Sequence, residues 1–487
     1  MAVHEECGVL GICSPQPIDA AQVIYHGLYA LQHRGQESCG IVVNDDGVLV
    51  SHKDLGLVGE VFKAPVLHAL PRGRMAVGHV RYGTTGATNR ANCQPMEVNH
   101  QKGNLAIAHN GNLSNAAQLR DQLELGGAIF HSTSDTEIIA YVLTRERLIA
   151  PSIEEAANRA MNVLEGAYSL VLMSSQKLLC VRDPYGFRPL CIGQTRQGAY
   201  VVASETAALK AVGACYVRDV APGEIVIFDA GDKPGAPAVT MRSITRHCGS
   251  QSPRHCVFEY IYFLRPDSVA DGVGVQAARM RAGAILAQRY PVDADVVVGV
   301  PDSGIDAALG YSRHSGILYM PGLIKNKYIG RTFIAPQQAD RMELVRIKLS
   351  AIEECVRGKR VVLVDDSIVR GTTSACIVRL LREAGAERIH LRISAPPFRF
   401  PCFYGTDVDS QENLVACKHS VSEIARMLDV DSLGYLPLED LPQMMGGKGY
   451  CSACFDGDYP TQVALESRKN RFEQRLSQRV REEEGAR

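Results

Sequence analysis

"RVVLVDDSIVRGTTS", residues 360–374, joins an unbroken apolar run to a pair of acids and a helix start. Val361, Val362, Leu363 and Val364 run on without polar alternation, as in a strand covered on both faces. That strand delivers two adjacent carboxylates, Asp365 and Asp366, to its carboxyl edge. The chain then turns through Gly371 and opens a helix with Thr372, Thr373 and Ser374. In open parallel sheets, ligands sit outside the carboxyl ends of the strands. A helix N-terminus placed there offers unpaired N–H groups and a partial positive charge, which suit a phosphate monoester. The hydroxyls add donors, Gly371 lets the backbone come close, and the two acids suit ribose hydroxyls or a bridging Mg²⁺. Either half alone is ordinary: Asp-Asp-Ser can merely end a strand, and Thr-Thr-Ser can merely cap a helix.

Working outward, "VVVGVPDSG" (296–304) ends a second buried strand in Pro301-Asp302-Ser303-Gly304, placed to approach a pyrophosphate through backbone amides. "ACIVRLLREAGA" (375–386) carries apolar residues at helical spacing, so the region reads as a parallel α/β domain. "LIKNKYIGRTFI" (323–334) holds Lys325, Lys327 and Arg331 on a Gly-containing segment, either a solvated face or a lid over a leaving group. The fifteen-residue stretch resembles the phosphoribosyl-pyrophosphate (PRPP) motif of type I phosphoribosyltransferases. That resemblance implies PRPP held by Asp365, Asp366, Ser367, Arg370, Gly371, Thr372, Thr373 and Ser374, with Lys325, Lys327 and Arg331 closing over it. It further implies Mg²⁺ on Ser303, Asp365 and Asp366, and displacement of pyrophosphate from C1 of the ribose.

At 487 residues the chain is too long for one core, so at least two domains are expected. Lys plus Arg number 52 against 53 for Asp plus Glu, which leaves no bulk positive field for nucleic acid or an anionic membrane. No segment approaches the roughly 18 apolar residues of a bilayer span, and none reads as a secretory signal. Cytoplasmic residence is expected. The 15 cysteines, an odd number in a long chain without such a signal, argue against a disulfide scaffold.

The front half has another texture. "CGVLGI", "CGIVVN", "NLAIAHN", "YSLVLMSS" and "AYVVAS" are short strands, with helices at residues 19–33 and after "STSD", where Ser134 and Glu137 stand in capping-box spacing. Many strands and few helices suggest a layered α+β domain. Its first strand begins at Cys7, behind "MAVHEE". Cleavage after Glu6 would give one residue both a thiol and a free α-amine, whose reference pKa values, about 8.5 and about 7.7–8.0, lie close together. The amine then serves as base for its own side chain. From Cys7 alone, a buried structural cysteine is the better reading. Four further segments shift the balance: "LQHRGQESCGI" (31–41), "GHVRYGTTG" (78–86), "AHNGNLSN" (108–115) and "STSDTEI" (132–138). With "CGVLGI" they resemble the glutaminase domain of class II glutamine amidotransferases, which are N-terminal nucleophile hydrolases with an αββα layered fold. The resemblance makes Cys7 the nucleophile, Asn110 and Gly111 the oxyanion hole, Arg81 the clamp on the glutamine α-carboxylate, Asp135 the partner of its α-ammonium, and Arg34 an ordering residue.

"GYCSACF" places Cys451 and Cys454 in C-x₂-C spacing, with Cys256, Cys402 and Cys248 as possible partners. Spacing alone leaves zinc, an iron–sulfur cluster or a structural thiol pair open. Joined in one chain, the two halves resemble a family of glutamine amidotransferases whose acceptor is PRPP. The likeness runs from Cys7 to about residue 465 and includes "YGFRPL", "EYIYFLRPDS" and "PCFYG". One branch of that family carries both a leader and a 4Fe–4S cluster, which would fall here on Cys256, Cys402, Cys451 and Cys454. The implied division is a leader (1–6), a glutaminase domain (7–240), a junction (241–260), a phosphoribosyltransferase domain with the cluster cysteines (261–465) and a charged helix or tail (466–487). The implied activity is synthesis of 5-phosphoribosylamine, glutamate and pyrophosphate from glutamine, water and PRPP, the first step of de novo purine synthesis. Family membership further implies ammonia passed between sites out of solvent, purine-nucleotide feedback inhibitors and a homo-oligomer, commonly a tetramer. The alternative, a PRPP-binding regulator without turnover, would bind PRPP and release no glutamate.

Overall fold

A computed structural model describes residues 7–83, 89–231, 238–327, 345–408, 410–447 and 449–463. These fall into two compact units. One holds the chain up to His255 together with Phe403–Thr406 and the described residues from Tyr459 onward; the other holds Cys256–Cys402 and Asp407–Asp458.

The first unit stacks two antiparallel sheets. The seven-stranded sheet is centred on β1 (Gly8–Ile18) and β4 (Gly73–Arg81), with β2 (Ser38–Asp45) and β3 (Val48–Leu55) beyond β4; the six-stranded sheet holds β5 (Met96–His100) at its edge, then β6 (Gly103–Leu113) and β7 (Gly166–Ser174). Strand alternation sorts their side chains into two directions. On β1 and β4, Val9, Met75 and Val77 bury between the sheets with Ala106, Ala108 and Val171, while Leu10, Ile12 and Val80 turn outward. There they meet Ile24 and Leu28 of helix α1 (Ala20–Ala30). On the other side Leu105, Ile107 and Leu113 pack on α2 (Asp135–Ile149) and α3 (Ile153–Ala160). The result is the αββα layering that the resemblance implied. Ser134 caps α2 through Thr136 N, but Glu137 does not complete a capping box: its carboxylate turns back to His131 N, Ser132 N and the Ser132 hydroxyl. Three donors there outcompete the single N-cap amide. Residues 240–244 pair with Ile225–Asp229 as an edge of the second sheet.

The second unit is a five-stranded parallel sheet. We label its strands β8 (Val296–Gly299), β9 (Leu318–Tyr319), β10 (Arg360–Asp365), β11 (Arg388–Ile393) and β12 (Ser432–Tyr435), in spatial order β9-β8-β10-β11-β12. Val296–Val298 and Val361–Val364 are wholly buried, as the unbroken apolar runs foretold. Helix α4 (Val275–Arg289) precedes the sheet, while α5 (Gly304–Ser315) and α6 (Thr372–Glu383) lie in the crossovers that follow β8 and β10. Strands β8 and β10 pair from Val296↔Val361 to Gly299↔Val364, so the loops after Gly299 and Asp365 leave the sheet side by side.

Candidate active sites

Register places the glutaminase candidates. Val9 lies opposite His79 on the face between the sheets, so Cys7, two residues earlier, and Arg81, two residues later, fall on that face. On β6, Ala106 and Ala108 point the same way, and Asn110 and Asn112 continue the series. His79 Nε2 donates to the His109 carbonyl at 3.0 Å, tying β4 to β6 beside Asn110. Burial pushes this imidazole down to about 3, so it stays neutral and keeps that bond at working pH.

Asn110 is fully buried, yet among the described residues neither side-chain amide atom has a hydrogen-bond partner. Such a group costs about 1–3 kcal/mol unless a ligand satisfies it. The Cys7 thiol lies 3.6 Å from the Tyr82 carbonyl, and Arg34 Nε donates to the Cys7 carbonyl at 3.0 Å. Arg34 itself is buried against Glu205, with Nη1 to Oε1 at 2.8 Å, and His33 Nε2 reaches the same oxygen at 2.7 Å. Burial alone would raise the Glu205 carboxyl, but His33 and Arg34 overcome it and hold the group well below the usual carboxylate range. Arg81 is buried 3.7 Å from Glu37, whose carboxylate also accepts Gly83 N at 2.8 Å. Asp135, the first residue of α2, accepts Leu113 N at 3.0 Å and lies 3.6 Å from His109 Nδ1. Burial works against its charge, but His109, Leu113 N–H and Arg81 together lower its pKa.

In the second unit Asp365 ends β10, and Asp366 is gripped by two hydroxyls, Ser303 on Oδ2 and Ser367 on Oδ1. Asp366 N donates to Asp365 Oδ1 at 2.9 Å. Both carboxyls are buried. Burial, joined for Asp365 by the Asp366 charge beside it, pushes both pKa values up. Two acids crowded in this way are under electrostatic pressure that a divalent cation would relieve. Gly371, at φ +82, starts α6 with no side-chain cap of its own, as a helix N-terminus that offers first-turn amides to a ligand would. Lys325 Nζ is 2.5 Å from Asp302 Oδ2, and Lys327 is exposed; Arg331 lies outside the described residues.

Known proteins fit both units. A glutamine amidotransferase domain family matches residues 79–211, and a phosphoribosyl transferase domain family matches residues 273–396. The amidophosphoribosyltransferase of Methanocaldococcus jannaschii is 47% identical over 466 residues, covering 94% of this chain and 98% of that protein. That of Bacillus subtilis is 48% identical over 470 residues, covering 95% of each. This chain belongs to the amidophosphoribosyltransferase family. The solved B. subtilis glutamine PRPP amidotransferase, complexed with ADP and GMP, superposes with a TM-score of 0.85 at 46% identity. The alignment covers 95% of this chain and 99% of that one.

In this chain the cysteines sort by unit. Cys256, Cys402, Cys451 and Cys454 all belong to the second, while Cys248 belongs to the first and has Glu224 and Arg218 as its charged neighbours. Burial pushes the Cys454 thiol up, and Cys402, Cys256 and Cys451, each within electrostatic reach of it, push it further. Cys256 and Cys451 sit on two paired two-residue strands, and the Cys454 carbonyl accepts Arg399 N and Phe400 N. Among the described residues no three His, Cys, Asp or Glu side chains close on one point as ligands of a single ion would.

Sequence reasoning missed Glu205, His79 and Tyr262. Glu205 carried a weak signal, an acid directly after a buried strand and far from any basic run. His79 looked like one polar residue in an apolar strand. Tyr262 lies within electrostatic reach of Asp366, Asp365 and Asp302, which raise its pKa further after burial has done most of the work. Nothing in "EYIYF" indicates that proximity.

Proposed function

We propose that the chain hydrolyses glutamine in its first unit and uses the released ammonia to displace pyrophosphate from PRPP in its second, forming 5-phosphoribosylamine at the entry to purine synthesis. One observation carries this reading: kinship to amidophosphoribosyltransferases extends over both units at once, through 94–95% of the chain.

The chemistry follows from the residues. Cys7 Sγ attacks the glutamine carboxamide carbon, and the α-amine freed by removal of residues 1–6 takes the thiol proton and returns it to departing ammonia. Those six residues lie outside the described chain. The developing oxyanion is met by Asn110 Nδ2 and the Gly111 N–H, and a buried Asn110 amide with no partner among the described residues supports that role. Arg81 suits the substrate carboxylate as a planar two-pronged donor, and Asp135 suits the ammonium. Arg34 holds the Cys7 carbonyl. Water then cleaves the thioester to glutamate.

In the second unit Ser303, Asp365 and Asp366 would hold Mg²⁺, which neutralises pyrophosphate charge when bound. Ser367, Arg370 and Gly371–Ser374 cradle the 5-phosphate, and Lys325, Lys327 and Arg331 cover the leaving group. The electrostatic reach of Cys402, Cys256 and Cys451 to Cys454 supports a 4Fe–4S cluster on these four residues, since thiolates are the ligands such clusters take. Feedback by purine nucleotides, a homotetramer and a cytoplasmic setting belong to the same reading. Among the described residues no helix is long and apolar enough to cross a membrane. Stoichiometry tests the whole: glutamate and pyrophosphate should appear one for one, both dependent on PRPP. PRPP binding without glutamate release would leave only the regulator.

A further inference from the structure

Residues Phe403–Thr406 belong to the glutaminase unit although their neighbours Cys402 and Asp407 belong to the other. Their contacts converge on the end of β6. Asn112 Nδ2 donates to the Phe403 carbonyl at 3.0 Å. Arg188, fully buried, donates Nε and Nη2 to the Tyr404 carbonyl at 3.1 and 2.8 Å, and Nη2 also reaches Thr406 Oγ1 at 3.4 Å. The Tyr404 ring stacks on Phe187 at 4.2 Å between centroids, and its hydroxyl meets Thr461, whose own hydroxyl donates to Ser114 at 3.1 Å.

Between these anchors Gly405 lies against Gly111. A Cβ on Gly405 would stand 3.4 Å from the Gly111 Cα and carbonyl carbon and 3.0 Å from Arg188 Nη2, at a φ of +117 that side chains rarely adopt. On its other side, a Cβ on Gly111 would meet the Ala167 carbonyl at 2.2 Å. The Gly111 peptide is thus held between β7 and the 403–406 segment, with no side chain of its own to fix it. An oxyanion donor stabilises charge in proportion to how firmly its N–H is aimed beforehand.

We propose that Phe403–Thr406, gripped by Arg188 and Asn112, are positioning residues for the Gly111 amide, so that sequence from the far half of the chain sets the oxyanion hole of the glutaminase. This rests on the assignment of Asn110 and Gly111 as the oxyanion donors. Full-length Gly405→Ala and Asn112→Ala enzymes are compared with Asn110→Ala for glutamine hydrolysis with PRPP, for ammonia-dependent synthesis and for thermal unfolding. The proposal expects Gly405→Ala and Asn112→Ala each to lower the glutaminase kcat about tenfold, with KM for glutamine and the ammonia-dependent rate unchanged and only a modest fall in melting, since one variant strains a left-handed φ and the other removes a donor to the Phe403 carbonyl. Asn110→Ala should lose about 10²–10³ in kcat. An Asn110→Ala defect without one in either of the other two overturns the positioning role alone. No Asn110→Ala defect overturns the oxyanion assignment and the proposal with it. A rise in KM joined by a loss of ammonia-dependent rate and a large fall in melting in both test variants means general damage, and also overturns the proposal.

Discussion

Replacing Glu205 by Gln puts the greatest strain on the glutaminase reading, because Glu205 never touches the substrate. Its carboxylate and the Arg34 guanidinium are both fully buried, with no side-chain exposure on either partner. Removing one charge from such a pair leaves the other stranded, at about 3–5 kcal/mol. That is a large part of the 5–15 kcal/mol that holds a typical domain together. The amide keeps the shape and one acceptor for Arg34, so the loss should fall near 3 kcal/mol, read as a lower urea midpoint for the first unit. The pH dependence has a definite sign. The folded pKa lies below the unfolded value of about 4.3, so the pair's contribution is complete above that pH and fades as pH falls through the folded value. The gap between wild type and Glu205→Gln should therefore be full at pH 7 and narrow below about pH 4. Activity should follow position: Arg34 is held by a neutral acceptor instead of a charge, the Cys7 carbonyl has a less firmly fixed donor, and glutamine-dependent kcat falls about tenfold while ammonia-dependent synthesis holds. The double variant Arg34→Met, Glu205→Leu should regain much of the stability and none of the glutaminase rate. If Glu205→Gln keeps its midpoint at neutral pH, or keeps full glutaminase activity, the chain of support from Glu205 through Arg34 to Cys7 is wrong.

Asp365→Asn and Asp366→Asn should each abolish synthesis with either nitrogen source, checked by pyrophosphate release. Because burial raises both folded pKa values, these carboxyls subtract stability as pH climbs above about 3.9. Each variant should thus unfold at higher urea than wild type at pH 8 by about 1–3 kcal/mol, and saturating Mg²⁺ should narrow the gap. Anaerobically purified protein should be brown, with iron and sulfide in stoichiometric amount, and Cys454→Ser should lose both; a colourless, zinc-loaded, active preparation would rule the cluster out. Intact-mass analysis of active enzyme should show residues 1–6 gone.

The parallel domain was legible because its signal is local. Val361–Val364 are buried on both faces, and the acids and the α6 N-terminus follow within a dozen residues. The glutaminase site was legible only in pieces, since Cys7, Arg81 and Asn110 come from separate strands and meet through register rather than spacing. Long-range buried pairs left no periodic trace: Arg34 with Glu205 and Arg188 with Tyr404 are separated by 171 and 216 residues. The capping box at Ser134 failed because Glu137 found three nearer donors, a competition that spacing does not encode.

Cys7→Ala, assayed with PRPP and Mg²⁺ under two nitrogen sources, tests the separation of the two chemistries most directly. With glutamine the rate should fall to background; with concentrated ammonia at alkaline pH, 5-phosphoribosylamine synthesis should match the unaltered enzyme. Loss of both rates from protein that keeps its fold and metal content, or survival of the glutamine-dependent rate, would contradict a thiol-driven glutaminase feeding an independent transferase.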